Sequence, residues 1–333
     1  MLIKSSFPEQ VYPRSSFLWD ESDVKLPRGI MDCTNSRMTA GPDYVREVYA
    51  LYRSLAEVLN LGVDFLDEDE LLVPASLAKF KVLFLTEPDL PLAGGVALVA
   101  WVKAGGTLIT VAGAGQFDEY DEPSTAFQTE LLFGPEAPKA RNISAPGLTK
   151  NGSLTSALPA SFGNNQTSCV ASGGCTFQAW GMTTKPGKLS SEAEVLASFD
   201  DKTPAVVANQ VGKGQSVHFY FFPGTSYFYG YTANATGHRG SGGRASQWTL
   251  IGLLYNLTTS VDRGGVVAPV TTSSLHVEAP LLEGPKGSVV TLLNWVPGRA
   301  EFGANSSMLT VDVALGFTPT KVCSTKFTVA LSH

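Results

Sequence analysis

The sequence predicts an α/β fold: a doubly wound, mainly parallel sheet followed by a small C-terminal antiparallel β module. Three observations carry this. Lys81–Thr86 and Thr107–Val111 are short continuous apolar runs, the pattern of strands covered on both faces. Segments with helical apolar spacing alternate with such runs, which implies right-handed crossovers between parallel strands. From about Val266 the apolar period drops to two.

In chain order, Gln10–Asp20 reads as a short strand and loop, and Ser22–Ala40 as an irregular connection. A helix is predicted from Pro42 to Asn60, because Val45, Val48, Leu51, Tyr52, Leu55, Val58 and Leu59 form one stripe. Pro42 suits its first position, Asp43 and Glu47 suit the positive end of its dipole, and Gly62 is placed to stop it. Val63–Leu66 is the next strand, Asp67–Leu72 a turn, and Pro74–Phe80 a short helix. The strand Lys81–Thr86, the helix Pro91–Lys103 and the strand Thr107–Val111 follow, the helix being stopped by Gly105-Gly106.

Pro135–Ser191 breaks this rhythm with Gly, Pro, Ser and Asn and reads as a surface insertion. Regularity returns in strands Glu194–Phe199 and Ala205–Val211. Gly212-Lys213-Gly214 then turns the chain into Ser216–Phe222 as an antiparallel hairpin. Arg244–Leu257 is a helix with Trp248, Ile251, Leu254 and Tyr255 on one face. Strands are expected at Ser274–Glu278, Ser288–Leu293, Leu309–Val313 and Thr328–Leu331. The division expected is one domain over 1–262, carrying the insertion at about 135–191, and a β-domain over 263–333.

The 333 residues leave room for this, and 44% hydrophobic with 16% charged residues marks a core-forming chain. A net charge of −6 argues against a nucleic-acid surface over the whole chain. No apolar run reaches membrane-helix length. Met1–Pro8 lacks the apolar stretch of a signal peptide. Asn-x-Ser/Thr sequons nevertheless occur at Asn142, Asn151, Asn165, Asn234, Asn256 and Asn305. Their excess points to a secreted or lumenal setting, with Asn256 set aside because it falls in the last predicted helix. Cys169 and Cys175 flank a loop short enough to close as a disulfide, while Cys33 and Cys323 read as buried or inert thiols. No Cys or His pair has metal-ligand spacing, so neither a metal nor a cofactor is expected. Sequons without a signal peptide lead to the expectation that the chain is a piece of a longer protein.

A family resemblance rests on an ordered series. It comprises Val63-Asp64-Phe65-Leu66-Asp67-Glu68-Asp69-Glu70-Leu71, Lys81-Val82-Leu83-Phe84-Leu85 and Ala100-Trp101-Val102-Lys103-Ala104-Gly105-Gly106-Thr107-Leu108. It continues through Ala112-Gly113-Ala114-Gly115 with Asp118-Glu119-Tyr120, and Pro204-Ala205-Val206-Val207 with Val211-Gly212-Lys213-Gly214. The series resembles the β-galactosidase trimerisation domain, the second domain of glycoside hydrolase family 42 enzymes. Val277–Leu282 and Leu292–Trp295 resemble the small β-domain that follows it. The resemblance implies a class I glutamine amidotransferase-like, flavodoxin-like fold and a homo-oligomer, trimeric in that family. It also implies a catalytic barrel preceding this domain, with only some ten residues here before the first expected strand.

An amidotransferase-like enzyme needs a nucleophile on the turn after a central strand. Val111-Ala112-Gly113-Ala114-Gly115 holds no Cys, Ser or Thr. His218 reads as a strand histidine and His238 as part of a Gly-rich loop that could touch a ligand. Asp67–Glu70 and Asp118–Glu122 follow strands at the edge where such sheets bind ligands. They are either paired acid–base groups or solvated, helix-start clusters. The aromatic run Phe219–Tyr231 is open to three uses: carbohydrate contact, subunit contact, or core. The candidate contacts are Asp118, Glu119, Tyr120, Tyr227, Tyr229 and His238; no catalytic residue is assigned. The glycosylation candidates are Asn142, Asn151, Asn165, Asn234 and Asn305.

Three functions follow. The first is a non-catalytic assembly or support module, partnered by its own copies or by a glycosidase catalytic domain. The second is a stand-alone carbohydrate-binding protein using residues 219–231. The third is a carbohydrate-active hydrolase using the acidic loops.

Overall fold

The computed structural model describes residues 2–5, 41–59, 61–120, 122–124, 149–155, 175–184, 186–187, 189–232, 241–259, 270–272, 277–284, 287–294 and 311–313. The fold is mixed α/β. Strands β1 (Leu2–Ser5), β2 (Val63–Leu66), β3 (Val82–Leu85), β4 (Thr107–Thr110), β5 (Thr149–Leu154), β6 (Thr176–Trp180), β7 (Glu194–Phe199), β8 (Pro204–Val211) and β9 (Gly214–Phe219) form one nine-stranded sheet, in the order β2-β1-β3-β4-β9-β8-β7-β5-β6.

The expectation of a mainly parallel sheet needs correcting. Only β3–β4 and β4–β9 pair in parallel, with Ile109 opposite both Phe84 and Val217. All other neighbours are antiparallel. Two causes are visible. β1 inserts between β2 and β3 and runs against both; four residues are too few to show a period. The β8–β9 hairpin, expected from Gly212-Lys213-Gly214, then starts an antiparallel run toward the far edge. The strand expected in Gln10–Asp20 lies outside the described residues.

That run includes β5 and β6, so the segment expected to be a surface insertion contributes two strands to the main sheet. Thr149-Lys150-Asn151-Gly152-Ser153 lacks the alternation that announces a strand. Gly152 must be small: a Cβ there would lie 2.6 Å from the Phe177 ring and 2.8 Å from the Ser198 carbonyl.

Helix α1 (Gly41–Tyr52) continues as a π-helical segment over Arg53–Val58. Ser54 Oγ donates to the Ala50 carbonyl at 2.7 Å at that junction, a side-chain bond that competes with the regular ladder. Two one-turn helices, α2 (Glu68–Leu71) and α3 (Pro74–Leu77), precede β3, and α4 (Leu92–Ala104) crosses from β3 to β4. Helices α5 (Pro223–Thr232) and α6 (Ser241–Thr259) follow β9. α1 packs on α5, α5 on α6, and α6 on β6, while α4 lies against β4 and β9.

β3 and β4 are buried along their whole length; β3 is apolar throughout, while β4 also buries Thr107 and Thr110. The aromatic run after β9 feeds the core: Phe219, Tyr220, Phe221 and Phe222 are fully buried. Phe221 stacks on Phe177 at 5.0 Å, and Phe222 meets Tyr44 edge-on at 5.1 Å.

The described residues of the C-terminal part form antiparallel pairs, as expected. β10 (Val270–Thr272) pairs with β15 (Val311–Val313), and β11 (Val277–Glu278) with β14 (Leu293–Asn294). β12 (Leu281–Gly284) and β13 (Gly287–Val290) form a hairpin. Tyr52 hydrogen-bonds Glu278, which ties this part to the π-helical segment. Burial, with Glu278 beside it, pushes the Tyr52 phenol up to about 12. The strand expected at Thr328–Leu331 lies outside the described residues. Among the described residues no helix is long and apolar enough to cross a membrane.

Candidate functional site

The C-terminal ends of β3, β4 and β9 converge with three connections: Thr86–Pro91, Val111–Ser124, and Tyr220 into α5. In a doubly wound sheet this is the ligand-binding edge. Here the central turn is filled by protein. Val111 to Gly115 are all buried. Tyr44, from α1, donates its hydroxyl to the Ala112 carbonyl at 3.3 Å and lies 3.9 Å from Met182 Sδ. Gly113 has φ +77, and a Cβ on it would strike the Tyr44 hydroxyl and Met182 Cε. A side chain at the summit of this turn is therefore excluded by space as well as by backbone conformation.

The acidic loop is tied to the start of α4. Asp118 Oδ1 accepts from the backbone N–H groups of Tyr120 (2.9 Å) and Glu122 (3.0 Å). Glu119 Oε2 accepts from Leu92 N at 2.9 Å, satisfying an open donor in the first turn of α4. Tyr120, between them, is 78% exposed. The earlier cluster is a capping box: Asp67 Oδ1 accepts from Glu70 N at 2.8 Å, and Glu70 Oε2 accepts from Asp67 N at 3.3 Å. Burial raises the pKa of Glu68, and the charges of Asp69, Asp89 and Asp67 add to the shift.

His218 is a buried strand histidine. Its Nδ1 shares a 2.7 Å hydrogen bond with Thr110 Oγ1 across the β4–β9 register, and its ring meets Tyr220 edge-on at 4.5 Å. Burial lowers its pKa to about 3, so it is neutral at physiological pH. Tyr227 is half-buried against the core. His238 and the side chain of Tyr229 lie outside the described residues.

Sequence reasoning missed Glu47 as a tertiary contact. It was assigned to the dipole of its own helix, but it is buried and serves another. Its carboxylate accepts from Gly224 N at 2.8 Å and Thr225 N at 2.6 Å, so it closes the first turn of α5. Burial raises its pKa to about 7, against the lowering effect of those bonds and of the Thr225 side chain. α1 and α5 approach closely here, since a Cβ on Gly224 would meet Leu51 N at 2.6 Å. A signal was present. Glu47 falls between Tyr44 and Leu51 on the apolar stripe, and a charge there must find a partner or change its protonation.

Asn151 is exposed on β5 and accepts from Gln178 Nε2 at 3.3 Å. Asn142, Asn165, Asn234 and Asn305 lie outside the described residues. Cys175 is disulfide-bonded, and Cys169 is outside the described residues. Among the described residues no group of three or more His, Cys, Asp or Glu side chains is arranged to hold a metal ion.

No protein-family model and no curated protein matches the sequence. Solved structures do match. A β-galactosidase from Bacillus circulans sp. alkalophilus aligns over 75% of this chain and 31% of its own, at 20% identity and TM-score 0.52. A catalytic mutant of Gan42B, a GH42 β-galactosidase from G. stearothermophilus, aligns over 77% of this chain and 32% of its own, at 17% identity and TM-score 0.51. The chain thus spans about a third of the length of these two proteins and shares the fold of that part.

Proposed function

We propose that the chain is a non-catalytic assembly or support domain of a β-galactosidase-like glycoside hydrolase, equivalent to the trimerisation domain of that family. It holds copies of itself, or a glycosidase catalytic domain, in a fixed arrangement. The observation that carries this reading is the sealed turn after β4, where Tyr44 and Met182 occupy the space a reacting group would need. The acidic loops support it, because Asp118, Glu119, Asp67 and Glu70 are engaged in holding backbone N–H groups. The likeness to one third of two β-galactosidases supports the parentage. The disulfide at Cys175 and the sequons favour an oxidising, secreted or lumenal setting.

The test combines sedimentation velocity on the full chain with turnover of a nitrophenyl β-galactoside. The expected result is an oligomer that persists on dilution and has no turnover of its own. Turnover that collapses in Asp118→Asn or Glu119→Gln, while folding persists, replaces this reading with a hydrolase. Galactoside-induced stabilisation lost in Tyr227→Ala or Tyr229→Ala replaces it with a sugar-binding protein.

A further inference from the structure

Two of the six sequons fall on described residues, and the fold treats them in opposite ways. Asn151-Gly152-Ser153 lies on β5. Side chains two apart on a strand share a face. Asn151 and Ser153 are both exposed, while Gly152 between them is buried against the Phe177 ring. Ser153 pairs with Thr176 of β6 and Ser198 of β7, and Asn151 with Gln178 of β6, so polar side chains surround the pair. Asp200 N donates to the Asn151 carbonyl at 3.0 Å, which fixes the backbone of this residue from the β7 side as well. The Asn151 side-chain oxygen accepts from Gln178 Nε2 at 3.3 Å. That bond uses the amide oxygen, so a sugar joined to Nδ2 leaves it in place.

Asn256-Leu257-Thr258 lies near the end of α6. Leu257 and Thr258 are each 1% exposed, and Thr258 Oγ1 donates to the Leu254 carbonyl at 2.7 Å. The hydroxyl that completes this sequon is sealed in the helix packing, and Asn256 is half-buried. A bulky, solvated glycan belongs on an open polar face and not there. The compartment has its own support beside Asn151. Leu154 N, next to Ser153, donates to the Cys175 carbonyl at 2.9 Å, and Cys175 is disulfide-bonded. Disulfides persist in the oxidising compartments through which N-glycosylated chains pass.

We propose that Asn151 carries an N-linked glycan and that Asn256 does not. The donor is an oligosaccharide held on a lipid pyrophosphate, and a lumenal transferase acts on the chain. Asn151 Nδ2 bonds to C1 of the first sugar. The bond from C1 to the pyrophosphate oxygen breaks, the lipid pyrophosphate leaves with the electron pair, and Nδ2 gives up one proton. Nothing is oxidised or reduced. Ser153 belongs to the site because the sequon is read through its hydroxyl. The inference rests on the lumenal setting proposed above and is independent of the assembly reading.

The test is peptide mapping of the native protein after a peptide N-glycosidase has released its glycans in heavy-oxygen water. The enzyme turns each glycan-bearing Asn into Asp and marks it with the heavy isotope. A control without enzyme corrects for spontaneous deamidation at Asn151-Gly152. The Asn151 peptide is expected to be marked and the Asn256 peptide to stay unmarked. Asn151→Gln and Ser153→Ala, made in the same cells, should each lose one glycan on a denaturing gel, while Ser153→Thr should run with the wild type. All three should keep the wild-type circular dichroism, since both side chains are exposed. Asn151 unmarked in a protein whose other sequons are marked overturns the site and leaves the lumenal setting standing. A protein with no marked sequon overturns the site and the setting together. A marked Asn256 overturns the argument from the sealed Thr258 hydroxyl. The oligomer measured by sedimentation is a separate readout, so failure here and failure of the assembly reading are told apart.

Discussion

Glu47→Gln tests the main tertiary contact between α1 and α5. In the folded protein burial raises the Glu47 pKa from 4.5 to about 7, against the lowering effect of its bonds to Thr225 and Gly224. The folded state therefore holds a proton on this group, between these two values, that the unfolded state releases. Stability from this group is complete below about pH 4.5 and is lost as pH rises through 7. At about 1.4 kcal/mol per unit, the full loss is on the order of 3 kcal/mol. Gln keeps one acceptor and replaces the other with a donor, which opposes one of the two N–H groups at the start of α5. The variant is therefore expected to be less stable at low pH by about 1–3 kcal/mol, the cost of one unsatisfied buried donor. It also lacks the titration, so the two stabilities should converge as pH rises. Urea denaturation followed by circular dichroism at pH 5, 6, 7 and 8 reads both effects. Parallel wild-type and variant profiles refute the assignment. A gap that widens with pH refutes it in the other direction, because it means that the two backbone bonds outweigh burial and keep the carboxylate ionised.

Three further outcomes are expected. Gly113→Ala should lower stability by about 1–3 kcal/mol, because it combines a positive φ with a collision at Tyr44 and Met182. Pairing it with Tyr44→Phe, which removes the hydroxyl, should recover part of the loss in Tm. Asp118→Ala frees two backbone donors of an exposed loop; the expected cost is about 1 kcal/mol, read by denaturant midpoint, with faster hydrogen exchange confined to the acidic loop. Cys175→Ser should cost about 2–4 kcal/mol by loss of its cross-link. Peptide mapping without reduction then identifies the partner, and Cys169 is the expected one.

The parts of the fold legible in the sequence share one property: their signal is local. Val82–Leu85 announces a buried strand because all four residues are apolar, and Thr107–Thr110 because Leu108 and Ile109 sit between two β-branched threonines. Leu51, Leu55 and Val58 announce the buried face of α1 and its π-helical continuation. Gly212-Lys213-Gly214 announces its hairpin. Asp67–Leu72 reads as a turn and its acidic cluster as either acid–base groups or a solvated helix start; the capping box of Asp67 and Glu70 on the helix Glu68–Leu71 decides for the last. What was not legible depends on pairing across the chain. β1 is four residues whose strand character comes from the neighbours that β2 and β3 supply. β5 is nearly all polar, and Gly152 is explained only by the ring of Phe177 and the carbonyl of Ser198 above it.

The site divides in the same way. From sequence alone, the turn after β4 carries no nucleophile, and that fact needs no coordinates. Whether that turn was nonetheless an open pocket was decided by Tyr44 and Met182, which lie 68 and 138 residues apart from the Ala112 and Tyr44 atoms they meet. The sequence left the aromatic run between core and contact surface; packing consigned Phe219 to Phe222 to the core and left Tyr227 half-buried. Side-chain chemistry and local period are written in the order of residues. Which polar group finds a partner, and which apolar face stays uncovered, depends on distances that exist only once the chain has closed on itself.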